Sequence, residues 1–383
     1  LVSGIRGGLA RIIILCTCKH EACSPQNNAA SANQPVIIGS NMTSNWPCVK
    51  KWRQRSESDS FDIPNLSSLR EYAHHTVQVA DCSTRRYNEF DREERRLGDI
   101  LDLWQNQYQD SCNLYVKDWH QALLIEKDGG KQAQLYTTPE AFQDDWMTHH
   151  ALTLDPQDDY RFTYVGPRGT FTPLHRDVYG SYSWSSNIVG RKIWWLVPPE
   201  NTDIVWTQPG GTEVVFDLRE LDETLWRDKV LQVVQEAGET IFVPSGWYHQ
   251  VQNLDFCISI NQNFASSHIM PTIYRNLLES QLRVEEAISD VKMLLRDIAT
   301  PVSSPETAHS EVVQPWEIEW LNQVQNLLEM DAGWGLRGFW GMVLYNLRNP
   351  PTTPSLRPSD NVLQDLRTTV DEVALIVDAH THS

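Results

Sequence analysis

Two histidines and one aspartate in the middle of the chain have the residue types and the spacing of metal ligands. His175 and Asp177 lie two positions apart in the segment TPLHRD. In a strand, residues at this spacing point to the same face, so both side chains could bind one ion. His249, in VPSGWYHQV, follows a Pro-Ser-Gly turn that would bring it to the start of another strand. Two histidines and one carboxylate leave coordination positions open, which is the arrangement of non-haem Fe(II) oxygenases.

A lysine inside an apolar segment strengthens this interpretation. The His-x-Asp pair alone is a weak signal, because such a pair can occur by chance on the surface of a chain with 12 histidines. In GRKIWWLVPP, Lys192 shares a strand face with Trp194 and Leu196, and apolar residues also occupy the other face. A buried ammonium is costly without a paired anion, and this strand has no acidic residue. We therefore expect the carboxylate of a ligand as the partner of Lys192. An exposed lysine on an edge strand is the alternative.

Short strand-like segments between residues 160 and 265 must position these side chains. They include YRFTYVGP, GRKIWWLVPP, ETIFVPSGWYHQVQN and FCISINQNF, with Gly and Pro between them. Several short strands without a long helical pattern between them predict an antiparallel sandwich or barrel. Residues 200–230 interrupt this pattern as a long insertion, and such insertions are often functional or mobile.

The region before the strands carries fewer signals. Residues 1–60 show no sustained periodicity, which predicts a mostly irregular extension. Leu97, Ile100, Leu101 and Trp104 recur at spacings of three and four, which predicts an amphipathic helix. The segment NLYVKDWH that follows has the pattern of a strand.

The last third of the chain has a helical period. From residue 268 onward, three segments carry it: MPTIYRNLLESQLRVEEAISDVKMLLRDI, WEIEWLNQVQNLLEM and GFWGMVLYNLR. A final amphipathic stretch contains Val362, Leu366, Val370, Val373 and Ile376. We therefore predict a C-terminal helical region over residues 268–383.

Composition excludes some classes of partner. The chain has 32 Lys plus Arg against 50 Asp plus Glu, a formal charge of −18 that repels nucleic acid but permits a basic protein partner. No apolar run is long enough to span a bilayer, so we expect no membrane partner. Seven cysteines without paired spacing indicate reduced thiols. The chain starts with Leu and a short apolar run, for which we expect a fragment or a misplaced gene start rather than a signal peptide.

Several motifs together carry a family resemblance. TPLHRD, then GRK, VPSGWYHQV and SINQNFAS resemble the JmjC family of 2-oxoglutarate oxygenases. NLYVKDWH, DDYRFTYVGP and SYSWSSNIVGRKIWWLVPP are similar to one group within that family, the jumonji domain-containing protein 4 group. This second similarity extends over residues 110–270 and is specific.

The resemblance implies a fold and a set of site residues. The fold would be a double-stranded β-helix, a jelly-roll or cupin-like barrel, over residues 61–267, with Fe(II) at its mouth and 2-oxoglutarate beside the iron. The implied metal ligands are His175, Asp177 and His249. The implied contacts to 2-oxoglutarate are Lys192 at its distal carboxylate, the hydroxyls of Tyr115 and Thr172, Asn261, and Ser185 where some relatives have Asn. Strict alternation would turn Thr172 away from His175, so its placement requires an irregularity, which Pro173 could supply.

The resemblance also implies a reaction. The group hydroxylates a lysine of the eukaryotic translation release factor, with dioxygen as co-reactant. We accordingly expect a protein substrate and a cytoplasmic, or also nuclear, location. Demethylation of Nε-methyl-lysine by the same chemistry is one alternative. A cupin-like module that binds a ligand without turnover is the other.

Overall fold

The segments with alternating polarity form two antiparallel sheets. The computed structural model describes residues 33–55, 62–106, 112–151, 160–208, 213–299, 314–350 and 358–369. The strands are β1 Val36–Ile38, β2 Arg53–Arg55, β3 Asp62–Pro64, β4 Thr76–Arg86, β5 Glu89–Arg96, β6 Leu114–Trp119, β7 Arg161–Gly166, β8 Phe171–His175, β9 Tyr182–Val189, β10 Lys192–Val197, β11 Leu231–Gln235, β12 Thr240–Val243, β13 Tyr248–Asn253 and β14 Cys257–Phe264.

The larger sheet has eight strands in the order β1-β12-β9-β14-β7-β6-β4-β5, and the smaller has four in the order β11-β10-β13-β8. Strands β2 and β3 form a separate pair. Apolar residues from both sheets pack together in the interior, Trp194 and Leu196 from the smaller sheet and Ile241 and Val243 from the larger. This pairing of two antiparallel sheets confirms the predicted mainly β core with the cupin-like fold.

The helices lie mostly towards the end of the chain. They are α1 Pro47–Trp52, α2 Leu97–Asn106, α3 Gln121–Lys127, α4 Trp146–Ala151, α5 Glu223–Trp226, α6 Met270–Ala287, α7 Ser289–Ala299, α8 Pro315–Ala332 and α9 Leu336–Arg348. Residues 360–369 are also helical. Val362 and Leu366 are buried as their spacing predicts, whereas Val370, Val373 and Ile376 lie outside the described residues. Within the described chain, no helix combines the length and the apolar character needed to cross a membrane.

Sequence signals account for two of the helices. In α2, the four residues with helical spacing, Leu97, Ile100, Leu101 and Trp104, are completely buried, so the amphipathic prediction is confirmed. Helix α8 begins with Pro315 behind a capping box and ends at Gly333, whose φ of 84° is left-handed and favours glycine.

The chain divides into two compact units. The first comprises Leu1–Gln143, Asp155–Asp177 and Tyr182–Phe264, and it holds both sheets. The second comprises Asp144–Leu154, Val178–Ser181 and Ala265–Ser383, and it contains α4 and α6 to α9.

The prediction of an irregular extension over residues 1–60 is wrong for its described part. Strand β1 pairs with β12 and forms one edge of the larger sheet, and α1 follows it with Cys48 and Trp52 buried. A three-residue strand is too short to produce a periodic pattern, which is why the sequence did not reveal it.

Described residues of the insertion over residues 200–230 pack against the smaller sheet. Among them, Val205, Leu218 and Trp226 form a buried cluster with Trp195 and Val197 of β10. Part of the insertion therefore covers the outer face of that sheet, where the alternation of β10 predicted a second covered surface.

Candidate functional site

A cavity opens between the two sheets in the first unit. It has about 480 Å³ of empty space including its mouth. Every side chain expected at the site lies in its wall: His175, Asp177, His249, Lys192, Tyr115, Thr172, Asn261 and Ser185. The fold thus brings together residues that are up to 146 positions apart in the sequence, from Tyr115 to Asn261.

The two histidines lie opposite each other on neighbouring strands. His175 on β8 pairs with His249 on β13, and their ring centroids are 4.2 Å apart. Nδ1 of His175 lies 2.9 Å from the carbonyl oxygen of Pro173, and Nδ1 of His249 lies 3.2 Å from that of Trp247. A carbonyl can only accept, so each Nδ1 carries the proton and each Nε2 keeps a lone pair that is available to a metal ion. Metal-binding histidines typically have this arrangement.

Asp177 lies beyond the strand rather than in it. Strand β8 ends at His175, so the prediction that both residues belong to one strand is wrong for Asp177. Its Oδ2 accepts a hydrogen bond of 2.6 Å from Ser183 Oγ, and its Oδ1 lies 4.0 Å from His249 Nε2. One ligand atom from each of Asp177, His175 and His249 lies within 4.8 Å of the others. The three side chains are therefore close enough together to hold one metal ion.

A bulge gives Thr172 its place in the cavity wall. His175 pairs with His249 and Thr172 pairs with Val251, so three steps along β8 match two steps along β13. The extra residue changes the alternation, and Thr172 and His175 both line the cavity as a result. The irregularity expected near Pro173 is therefore present.

Lys192 is buried, and no carboxylate among the described residues pairs with it. Strand β10 lies between β11 and β13, so the alternative of an exposed lysine on an edge strand is wrong. Nζ donates a 2.9 Å hydrogen bond to Ser259 Oγ, and no carboxylate in the described residues lies within 4 Å of it. Burial lowers the pKa of Lys192 to about 8, so the side chain is still charged at neutral pH.

The surroundings of Lys192 fit a bound carboxylate. Ser185 Oγ is buried in the cavity wall and has no hydrogen-bond partner among the described residues. On the neighbouring strand, Asn261 pairs with Ser185 in register. The hydroxyl of Tyr115 faces Thr172, and burial raises its pKa well above the usual value, so it remains a neutral donor. An ammonium and several neutral polar groups in one buried cavity match the distal carboxylate of 2-oxoglutarate.

Three polar residues of the site were not identified from the sequence. Asn263 on β14 and Ser183 on β9 line the cavity, and Ser259 contacts Lys192. The alternation of polar residues in CISINQNF and SYSWSS could have revealed all three, because each lies two positions from a residue that was identified.

Two aromatic residues also form part of the wall. Phe162 and Tyr164 lie two positions apart on β7, and both side chains are half-buried. The Tyr164 hydroxyl donates a 2.7 Å hydrogen bond to Asp118 Oδ1. Burial alone would raise the pKa of Asp118, but the charges of Lys117 and Arg92 outweigh it and lower the pKa. Asp118 is therefore ionised, and the oxygen of Tyr164 keeps its lone pairs for other partners.

One tryptophan of the cavity wall, Trp194, contacts a histidine of the site. Its ring is stacked over His249 with a centroid distance of 5.8 Å. Trp184 touches the cavity wall, but its ring stacks on Phe142. Trp195 lies on the opposite face of β10, and Trp247 packs in the core between the sheets, so both take structural positions.

A second cluster, His74, His75 and Asp128, also has metal-ligand types close together, but the proton position on His75 argues against a metal site. Nε2 of His74 and Nε2 of His75 lie 3.6 and 3.8 Å from Oδ2 of Asp128. However, Trp119 Nε1 donates to His75 Nδ1 at 3.2 Å, and an indole N–H can only donate. Nδ1 of His75 must therefore be unprotonated and Nε2 must carry the proton. With Nε2 protonated, His75 cannot bind a metal there, unlike His175 and His249.

Comparisons with known proteins agree with this geometry. The sequence matches the cupin-like domain family over residues 24–269. It is 35% identical over 272 residues to the 2-oxoglutarate and iron-dependent oxygenase JMJD4 of Danio rerio, covering 67% of this chain and 61% of the relative. It is 34% identical over 269 residues to the human protein of that name, covering 67% of this chain and 62% of the relative.

A plant relative has a different activity in its name. The chain is 34% identical over 287 residues to the arginine-specific demethylase JMJ20 of Arabidopsis thaliana, covering 69% of this chain and 59% of the relative. The chain thus spans about six tenths of the length of each of these three relatives.

Proposed function

The chain belongs to the cupin-like domain family, and we propose that it is an Fe(II)- and 2-oxoglutarate-dependent oxygenase that modifies a protein side chain. One observation carries this proposal. His175, Asp177 and His249 direct metal-binding atoms into the same cavity in which Lys192 is buried as a cation without a carboxylate partner among the described residues. The names of the fish and human relatives support both cofactors.

The residues of the chain would each have a defined role. His175, Asp177 and His249 would hold the iron, with Ser183 fixing one oxygen of Asp177. Lys192, Tyr115, Thr172, Asn261 and Ser185 would bind and orient 2-oxoglutarate. Trp194 would exclude water next to His249. When bound, iron and 2-oxoglutarate supply the oxidation, in which 2-oxoglutarate and O₂ give succinate and CO₂ and one oxygen atom enters a substrate C–H bond.

The proposed substrate is a lysine of the eukaryotic translation release factor. The similarity of NLYVKDWH and DDYRFTYVGP to the release-factor hydroxylase group supports this choice. The charge of −18 is compatible with a cationic target, although it does not select one. Tyr164 lines the cavity and donates a hydrogen bond to Asp118, so its oxygen could accept a hydrogen bond from a substrate ammonium. A cytoplasmic, or also nuclear, location would follow from this substrate.

Demethylation is the second candidate. The name of the Arabidopsis relative favours a methylated arginine as the target, beside the methylated lysine expected from the family. Hydroxylation of an N-methyl group gives an unstable product that loses formaldehyde, so the same site could perform either reaction. A module that only binds ligands is not supported, because all three metal-ligand types are in place.

Mass spectrometry distinguishes these reactions. The protein is incubated with Fe(II), 2-oxoglutarate and either the folded release factor or histone peptides methylated on lysine or on arginine. We expect a gain of one oxygen on a release-factor lysine, which Asp177→Ala should abolish. Loss of methyl groups from a histone peptide, with the release factor unchanged, would replace hydroxylation by demethylation. Absence of 2-oxoglutarate turnover with every substrate would contradict the oxygenase proposal itself.

A further inference from the structure

A serine holds the buried lysine across the interior of the barrel. Lys192 belongs to the smaller sheet and Ser259 to the larger, and Nζ of Lys192 donates to Ser259 Oγ at 2.9 Å. Asn261 Nδ2 donates to the same oxygen at 3.3 Å. Ser259 is completely buried. This hydroxyl therefore links the cation to a second polar residue of the cavity wall.

We propose that Ser259 is a positioning residue, which fixes the ammonium of Lys192 so that it meets the carboxylate of 2-oxoglutarate. The inference rests on the proposed function, because it assumes that 2-oxoglutarate binds at Lys192. Ser259 itself would make no contact with the reacting atoms.

The chemistry of the contact supports this role. An ammonium has three N–H donors, and the bond to Ser259 uses one of them. Because the acceptor is neutral, it orients Lys192 without cancelling its charge, so two donors and the full charge remain for a ligand. A carboxylate at position 259 would pair with Lys192 and compete with the ligand.

A purely structural hydroxyl exists elsewhere in the same sheet for comparison. Ser186 is also completely buried, and its Oγ is 2.7 Å from Thr240 Oγ1. It is not part of the cavity wall. Ser186→Ala therefore removes a buried hydroxyl from the larger sheet without touching Lys192, which makes it a matched control for loss of stability.

The pH at which Lys192 loses its proton distinguishes the two possible roles of Ser259, because a purely structural role would leave that pH unchanged. Burial lowers the pKa of Lys192, and Cys257 is the titratable group in the described residues that acts on it. Burial raises the pKa of Cys257 to about 12, so this thiol stays neutral over the working range. The bond to Ser259 stabilises the ammonium form, so its loss should lower the pH at which Lys192 loses its proton.

The test measures binding of 2-oxoglutarate to anaerobic, Fe(II)-loaded protein by calorimetry over a range of pH. We expect Ser259→Ala to raise the Kd for 2-oxoglutarate about tenfold. We also expect it to move the fall in affinity to lower pH and to leave Fe(II) binding unchanged. Ser259→Thr keeps the hydroxyl and should retain most of the affinity. Ser186→Ala should change neither quantity.

Contrary results would overturn either the positioning role alone or both proposals. Wild-type affinity and an unchanged pH profile in Ser259→Ala would overturn the positioning role while leaving the proposed function intact. The same would follow if Ser186→Ala weakened binding as much as Ser259→Ala. Failure of the wild-type protein to bind 2-oxoglutarate would overturn both proposals. If Ser259→Ala does not fold, Ser259→Cys, a weaker acceptor of similar size, provides the comparison, and wild-type behaviour in it would contradict the role.

Discussion

Nε2 of His249 lies 4.0 Å from Oδ1 of Asp177. His249 belongs to strand β13, and Asp177 lies in the loop that follows strand β8. Together with His175, these two residues could hold one metal ion. Burial and the neighbouring His249 lower the pKa of His175 to about 4, so the imidazole of His175 is neutral near neutral pH. The geometry therefore requires no proton release from His175 before a metal binds near neutral pH.

Asp177→Ala should abolish iron-dependent decarboxylation of 2-oxoglutarate in a protein that remains folded. The substitution removes the single carboxylate of the proposed ligand set. Iron content and succinate production are measured together, with Asp203→Ala as the control, since Asp203 is an exposed aspartate paired with Lys229. Full turnover in Asp177→Ala would show that the metal ligands are assigned incorrectly.

Lys192→Ala should raise the 2-oxoglutarate concentration needed for half-maximal turnover about tenfold or more, with a much smaller effect on the iron requirement. The substitution removes a charged contact to the cosubstrate and no metal bond. Lys192→Arg should rescue only part of the affinity, because a planar guanidinium fits poorly where an ammonium was bound. Lys229→Ala, at an exposed lysine, is the control. Equal effects on the iron and 2-oxoglutarate requirements would indicate a folding defect instead.

Affinity for 2-oxoglutarate should fall as the pH rises above about 8. The pKa of Lys192 is lowered to about 8, and only its protonated form pairs with a carboxylate, so affinity is constant below that pH and decreases above it. The limiting decrease is about tenfold per pH unit for loss of one proton. Calorimetry at constant ionic strength checks this. Lys192→Arg, which keeps its charge, should remove the decrease, and a profile that is identical in both proteins would assign the titration to another group.

Asp128→Ala should leave the iron content of the protein unchanged. Trp119 fixes the proton of His75 on Nε2, which prevents the cluster of His74, His75 and Asp128 from binding a metal ion through that atom. Metal analysis of Asp128→Ala beside Asp177→Ala makes the comparison direct. A loss of metal in the Asp128 variant would mean that the His75 ring binds in the other tautomer.

Trp226→Ala should lower the free energy of unfolding by about 3–5 kcal/mol, as for other buried tryptophans. Trp226 packs with Val205 and Leu218 against the outer face of the smaller sheet. The neighbouring Leu225 is 57% exposed, so Leu225→Ala should change the free energy by less than about 0.5 kcal/mol. Urea denaturation followed by circular dichroism measures both. Similar values for the two variants would show that the insertion contributes little to the stability of the sheet.

The sequence was most informative where side chains alternate over several residues. The alternation in GRKIWWLVPP correctly predicted two covered faces of β10, whereas it left a buried and an exposed position open for Lys192, which is buried. The roles of Tyr115, Thr172, Asn261 and Ser185 depended on the family resemblance, because alternation indicates which face of a strand a residue lies on and not what it binds.

Other features require three-dimensional information. The proton positions on His175 and His249 follow from carbonyl groups whose direction depends on the backbone. Lys192 and Ser259 lie in different sheets and 67 positions apart, so no local sequence pattern could indicate their hydrogen bond. For the same reason, the exclusion of the His74 cluster as a metal site depended on the position of Trp119, 44 residues from His75.

The three residues of β1 cover strand β12, which would otherwise be the edge strand of the larger sheet. They pair with Phe242, Ile241 and Thr240, three of the four residues of β12. A shortened protein that starts at residue 61 would leave the N–H and C=O groups of β12 unpaired, next to a run of buried apolar side chains. Exposed strands of this kind pair with other chains, so such a protein should aggregate even though every proposed ligand of the iron and of 2-oxoglutarate is retained.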